Sequence, residues 1–216
     1  MVGAMRLAAL VVALSLLPVA GARPRNKKGG PARFDYYLLS LSWSPEHCAE
    51  VPSDHTPQCD GSRQFGFVVH GLWPQAERGP NPQNCAGPAF DPNAVTSDLL
   101  EIMPSRRLAQ HEWETHGRCS GLSEKDYFQK VQDAWVLVKI PAQFKSPQQP
   151  IEMTPRQIRQ AFDDANPNFP PDAFAINDNG RFLREVRVCY TNELKPRPCA
   201  QPGDTRDIKI IVRAVK

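Results

Sequence analysis

The stretch FAINDNGRFLREVRVCYT, residues 174–191, decides the fold class. From Phe174 to Asn177 and from Phe182 to Thr191 the hydrophobic pattern has a period of two, which places successive side chains on opposite faces of a strand. Between the two runs lies Asn179-Gly180, and these residue types tolerate the positive φ that a tight hairpin turn requires. The unit predicts a β-hairpin and hence antiparallel pairing. Working outward, FDYYLLSLSW (34–43) is aromatic and β-rich and reads as a strand. QFGFVVH (64–70) reads as a second strand that stops at Gly71, and Asp207 to Val215 as the last one. Residues 44–64 and 74–93 read as loops, the second tied down by Cys85.

The middle of the chain is helical. Asp98 to Met103 gives a short amphipathic turn stopped by Pro104. Ser105 caps a helix that runs through Thr115, with Gly117 as its stop. Ser123 opens a helix from Glu124 to about Val138. Thr154-Pro155-Arg156-Gln157 starts another, with Pro at the first helical position and Gln three after the cap, running to Ala165. Helices in the middle and strands at both ends predict an α+β fold, with helices packed against a central antiparallel sheet.

The 216 residues fit one domain with a sizeable core. Charged residues at 23% and hydrophobic ones at 41% describe a globular chain rather than a disordered one. A formal charge of +3 suits an anionic partner but does not by itself argue for one. Arg6, the apolar run Leu7 to Leu17, and Ala20-Gly21-Ala22 make residues 1–22 a cleavable signal peptide, too short in its apolar part for a comfortable membrane span. Residues 23–33 form a basic, Gly-containing leader expected to be mobile, and residues 34–216 the single folded domain. The expected product is a secreted or periplasmic monomer with no membrane attachment after cleavage. All 6 cysteines (Cys48, Cys59, Cys85, Cys119, Cys189, Cys199) follow the signal. An even number in an exported chain predicts disulfides, and spacing alone leaves 15 pairings open. No C-x-x-C pair points to zinc.

The chemistry concentrates in two segments, VVHGLWP (68–74) and HEWETHGRC (111–119). On a helix, at about 100° per residue, His111, Thr115, Glu112 and His116 share one broad arc, while Trp113 points away toward the core. The two histidines are five apart, so they diverge by about 140° and do not form the paired ligands of an HExxH zinc site. His70 ends an apolar strand beside Gly71, where clefts form. Trp73 suits either base stacking or ordinary core packing.

HGLWP and HEW-x-x-HG-x-C resemble the two active-site motifs of the T2 family of ribonucleases, and the likeness extends from FDYYLLSLSWSPEHC through Val188-Cys189-Tyr190 and Pro198-Cys199, about residues 34–215. The resemblance implies metal- and cofactor-independent endonucleolytic cleavage of single-stranded RNA to a 2′,3′-cyclic phosphate and then a 3′-phosphate. It implies His116 as general base, His70 as general acid, Glu112 as a stabiliser of the phosphorane and His111 as a substrate contact, with Trp73 the stacking candidate. It also implies the pairs Cys85–Cys119, Cys189–Cys199 and Cys48–Cys59. Two departures stand out. Thr115 occupies the position where the family usually has Lys, so a phosphorane-stabilising cation is missing and Arg118 or another basic residue is the candidate replacement. Gln75 follows HGLWP where some relatives have Asp, which leaves base preference open. Two other readings compete. A catalytically weakened RNA-binding member of the same fold rests on Thr115 alone. A metal-dependent hydrolase lacks a compact acidic cluster in the sequence.

Overall fold

The computed structural model describes residues 33–215. The expected signal peptide and nearly all of the basic leader lie outside these residues. In chain order the regular elements are β1 (Tyr36–Trp43), α1 (Ser44–Glu50), β2 (Phe67–Gln75), α2 (Ser97–Ile102), α3 (Arg106–Thr115), α4 (Glu124–Val136), β3 (Ile151–Met153), α5 (Pro155–Ala165), β4 (Phe174–Asp178), β5 (Leu183–Tyr190) and β6 (Ile210–Val212). Four strands form an antiparallel sheet in the order β2-β1-β5-β4, and β3 pairs with β6 in a small second sheet. This is the α+β architecture that the hairpin and the central helices predict.

The sheet has two unlike faces. Tyr37, Leu39, Leu41 and Trp43 of β1 enter the main core with Trp113, Tyr127, Phe144 and Phe162 from the helical side. The alternate residues Tyr36 and Leu38 form a small cluster with Ala175, Trp73 and the Cys189–Cys199 disulfide on the other face. That second face carries the polar chemistry. The capped helices start where the sequence places them: Ser105, Ser123 and Thr154 each accept a backbone N–H of the first turn, and Thr154 with Gln157 completes a capping box.

Several details differ from the sequence reading. Residues 44–50, read as loop, form α1, because Pro45 pre-sets the first helical turn and the Cys48–Cys59 bond holds the segment. β2 does not stop at Gly71 but continues through Pro74 to Gln75. A proline is tolerated there because β2 is an edge strand, where one side of the ladder needs no donor. The α2 cap is Thr96. Three-residue β3 is too short to show a period, and the last strand shrinks to Ile210–Val212 to match it. Gly117 is not a left-handed helix stop: the chain turns into a 3-10 segment, Gly117–Ser120, and Gly121 takes the positive φ of 75°. Gly117 is small for packing, since a Cβ there would lie 2.4 Å from the Trp113 ring. All three disulfides pair as the family likeness implies. The Cys85–Cys119 bond, with the Asn84 N–H donating to the Thr115 carbonyl at 2.7 Å, fastens the loop after β2 to the end of α3.

Candidate active site

The site begins with an irregularity in β2. Ser40 of β1 pairs with Gly71 and Leu41 pairs with Val69, which leaves His70 as one extra residue in the ladder. In a regular strand residues three apart point to opposite faces. A bulge shifts that phase. Phe67 and Val69 before it and Leu72 after it therefore face the core, while His70 and Trp73 both emerge on the polar face, ring centroids 5.3 Å apart. Gly71 lies between them with no space for a side chain: a Cβ would stand 1.9 Å from Glu112 Oε2 and 2.4 Å from Trp73 Nε1.

α3 supplies the other wall. Ala109 and Trp113 enter the core, and Glu112 is buried against β2. The Trp73 indole N–H donates to Glu112 Oε2 at 2.7 Å, and Glu112 Oε1 lies 3.6 Å from His70 Nε2. His116 closes α3 as its C-cap, buried, with its ring centroid 5.3 Å from that of Trp73. Its Nδ1 has no hydrogen-bond partner among the described residues. The two histidines thus meet the same indole. They open into different hollows. His116, Trp73, Gln75, Asn81 and Arg187 line one of about 250 Å³. His70, His111, Arg107, Ser42 and His55 line another of about 740 Å³.

The surroundings drive the proton affinities of the two imidazoles apart. Burial lowers His116 to about 4, helped by the charges of His111 and His70. Burial also pulls on His70, but a hydrogen bond to Glu185 and the charges of Glu112 and Glu185 outweigh it and raise His70 above its ordinary value. Burial lifts Glu112 to about 7, against the opposing pull of His70 and the Trp73 N–H.

Sequence reasoning missed Glu185 and Arg187. Glu185 Oε1 lies 3.0 Å from His70 Nδ1, and Arg187 Nη2 lies 2.9 Å from Glu185 Oε2. Their signal was present, since residues two apart on a strand share a face, but nothing local says what that face meets. Arg118 does not reach the site. Its Nε donates to the Pro88 carbonyl at 2.9 Å and its Nη2 lies 3.7 Å from Glu114. Thr115 sits beside His111, 3.5 Å from Oγ1 to Nδ1. Gln75 is buried and donates to the Pro74 carbonyl. The one grouping of metal-binding residue types among the described residues, His47, Asp54 and Cys59, offers no thiolate, because Cys59 is bonded to Cys48.

The ribonuclease T2 family model matches residues 34–199, a span that includes both histidine segments. The chain belongs to the ribonuclease T2 family. As a member it is a T2-type endoribonuclease. It is 40% identical over 168 residues to a ribonuclease of Aeromonas hydrophila, covering 77% of this chain and 76% of that one. Among solved structures, the fold matches an RNase-related protein from Calystegia sepium with a TM-score of 0.70 at 22% identity, over 85% of this chain and 98% of the other. A mutant of RNase MC1 in complex with 5′-UMP matches with a TM-score of 0.67 at 22% identity, over 83% and 98%. Among the described residues no helix is long and apolar enough to cross a membrane.

Proposed function

We propose that this T2 ribonuclease cleaves single-stranded RNA without a metal, by transphosphorylation and then hydrolysis. The observation that carries the reading is the convergence of two imidazoles from distant segments on one Trp73–Glu112 pair, in environments that favour a neutral His116 and a protonated His70. His116 takes the proton of the 2′-OH as that oxygen bonds to phosphorus. His70 gives its proton to the departing 5′-oxygen as the P–O5′ bond breaks, leaving a 2′,3′-cyclic phosphate. For hydrolysis the roles reverse: His70 takes a proton from water as that oxygen bonds to phosphorus, and His116 returns one to the 2′-oxygen as the P–O2′ bond breaks, leaving a 3′-phosphate. The nucleophile is the 2′-OH, so DNA is not cut. At mildly acidic pH, below its value of about 7, Glu112 retains its proton and offers an O–H, rather than a second negative charge, to the crowded phosphorane. His111 contacts substrate from the larger hollow, and Trp73 stacks on a base beside the smaller one, whose wall includes Asn81 and Arg187.

Residues 34–216 form one ribonuclease domain that acts as a monomer after removal of a signal peptide, in the periplasm or the medium. Three disulfides suit such an oxidising compartment. The deciding experiment incubates the mature protein with homopolymer RNA in EDTA and analyses the ends. Cyclic-phosphate products, lost in His70→Ala and His116→Ala variants that remain folded, are expected. Near wild-type turnover in either variant refutes its role. Tight binding without turnover favours a non-catalytic member, and loss of cleavage on chelation favours a metal enzyme.

A further inference from the structure

We propose that Glu185, clamped by Arg187, is a positioning residue for His70: a carboxylate–imidazole pair built across the sheet that fixes the ring so that Nε2 is the nitrogen that delivers the proton. The proposal deepens the reading above, because it concerns the residue assigned there as the acid. Its basis is a path through the sheet. Glu185 and His70 stand on strands separated by β1, and Ser42 of β1 pairs with Glu185 on one side and with Val68 on the other. Ser40 pairs in the same way with Arg187 and Gly71. Two small side chains at 40 and 42 therefore leave a trough on the polar face. Over it the carboxylate of β5 reaches the imidazole of β2, Oε1 to Nδ1 at 3.0 Å.

The carboxylate is itself held. Arg187 Nε and Nη2 approach Glu185 Oε2 at 3.0 and 2.9 Å, and the guanidinium lies 5.7 Å from the Trp73 ring centroid. Both contacts fall on one oxygen, which leaves Oε1 free for the imidazole, and a charge-assisted hydrogen bond of this kind is stronger than a neutral one. With Nδ1–H committed to Glu185, the remaining nitrogen, Nε2, points toward Glu112 Oε1. A ring oriented by a third group in this way needs no reorganisation when it transfers its proton. Of the two carboxyls that face His70, Glu185 is the one that stays ionised. Burial works against its charge, but the His70 hydrogen bond and the Arg187 charge hold it at about 2, whereas Glu112 rises to about 7. The groups around His70 are Glu112, His111 and Arg107 from α3, Glu185 and Arg187 from β5, His47 from α1, Asp54 and His55 from the following loop, and His116 beyond Trp73.

The test uses Glu185→Gln, which retains shape and an acceptor but removes charge, and Glu185→Leu, which removes both. Cleavage of a dinucleotide is followed across pH, and the His70 ring is titrated by NMR with His70→Ala as the assignment control. In Glu185→Gln the alkaline limb of kcat and the His70 titration should both move down by about one pH unit, with KM unchanged. In Glu185→Leu kcat should fall on the order of 10²-fold. A Glu185→Gln protein that is folded by circular dichroism but titrates and cleaves like wild type overturns the proposal. If Glu185→Leu fails to fold, the isosteric Gln variant still decides. If wild type itself does not cleave RNA, the ribonuclease reading fails, while the His70 titration still decides the pairing.

Discussion

Replacing Gly71 by alanine tests the packing that joins the two motifs. Gly71 has no positive φ, so alanine meets no backbone penalty there and the effect is steric alone. The added Cβ would lie 1.9 Å from Glu112 Oε2 and 2.4 Å from Trp73 Nε1. Restoring van der Waals contact requires the carboxylate to retreat by roughly 1.5 Å. It has little space to do so, because Glu112 is 1% exposed and its helix is anchored by buried Trp113. Overpacking costs about 1–3 kcal/mol, and a lost hydrogen bond from Trp73 to the protonated Glu112 carboxyl about 0.5–1.5 kcal/mol. The expected destabilisation is about 1.5–4.5 kcal/mol. For a domain of this size that corresponds to a fall in Tm of roughly 5–15 °C. A displacement of about 1.5 Å beside His70 should also lower kcat on the order of 10²-fold. Thermal unfolding and cleavage of a defined dinucleotide read the two effects. If Glu112 swings aside freely, stability survives but activity falls. A variant with wild-type Tm and wild-type kcat would refute the claim that this glycine is the contact between the two motifs.

The rate should be bell-shaped in pH. It rises as His116 loses its proton near pH 4 and falls as His70 loses its own above the ordinary imidazole value, so the maximum lies in mildly acidic solution; a maximum at alkaline pH in a kcat/KM profile would contradict the assignment. Thr115→Lys should raise the rate by returning a cation near the phosphorane. An unchanged or lower rate in steady-state assays would mean that another group, such as Arg187 in the wall it shares with His116, already serves. Removing the Cys85–Cys119 bond by double serine substitution frees a loop of 34 residues and should cost about 3–4 kcal/mol. Differential scanning calorimetry should show Tm lower by roughly 10 °C, and an unshifted Tm would show that the loop is held by its other contacts.

Fold class, the starts of three helices, the hairpin and the residues of both motifs were legible in the sequence because each rests on a local signal: a period, a cap, a turn dipeptide or a compact pair of motifs. Ser105, Ser123 and Thr154 cap as their positions demand, and Asn179-Gly180 turns between β4 and β5. The bulge at His70 was not legible, since the extra residue exists only relative to Ser40 and Leu41 of the neighbouring strand. Without it His70 and Trp73 would point to opposite faces. Arg118 illustrates the same limit, because adjacency to His116 in the chain did not bring it into the site, whereas Pro88 drew it away. Glu185 and Arg187 are far from either motif in sequence and meet His70 and Trp73 only because β1 pairs with β5 along one edge and with β2 along the other. Sequence by itself determined which residue types were available and which elements would carry them, because propensity and periodicity act between near neighbours. Which side chains meet across the sheet, and so which imidazole's proton affinity rises and which falls, was decided only by tertiary structure, because burial and charge act through space.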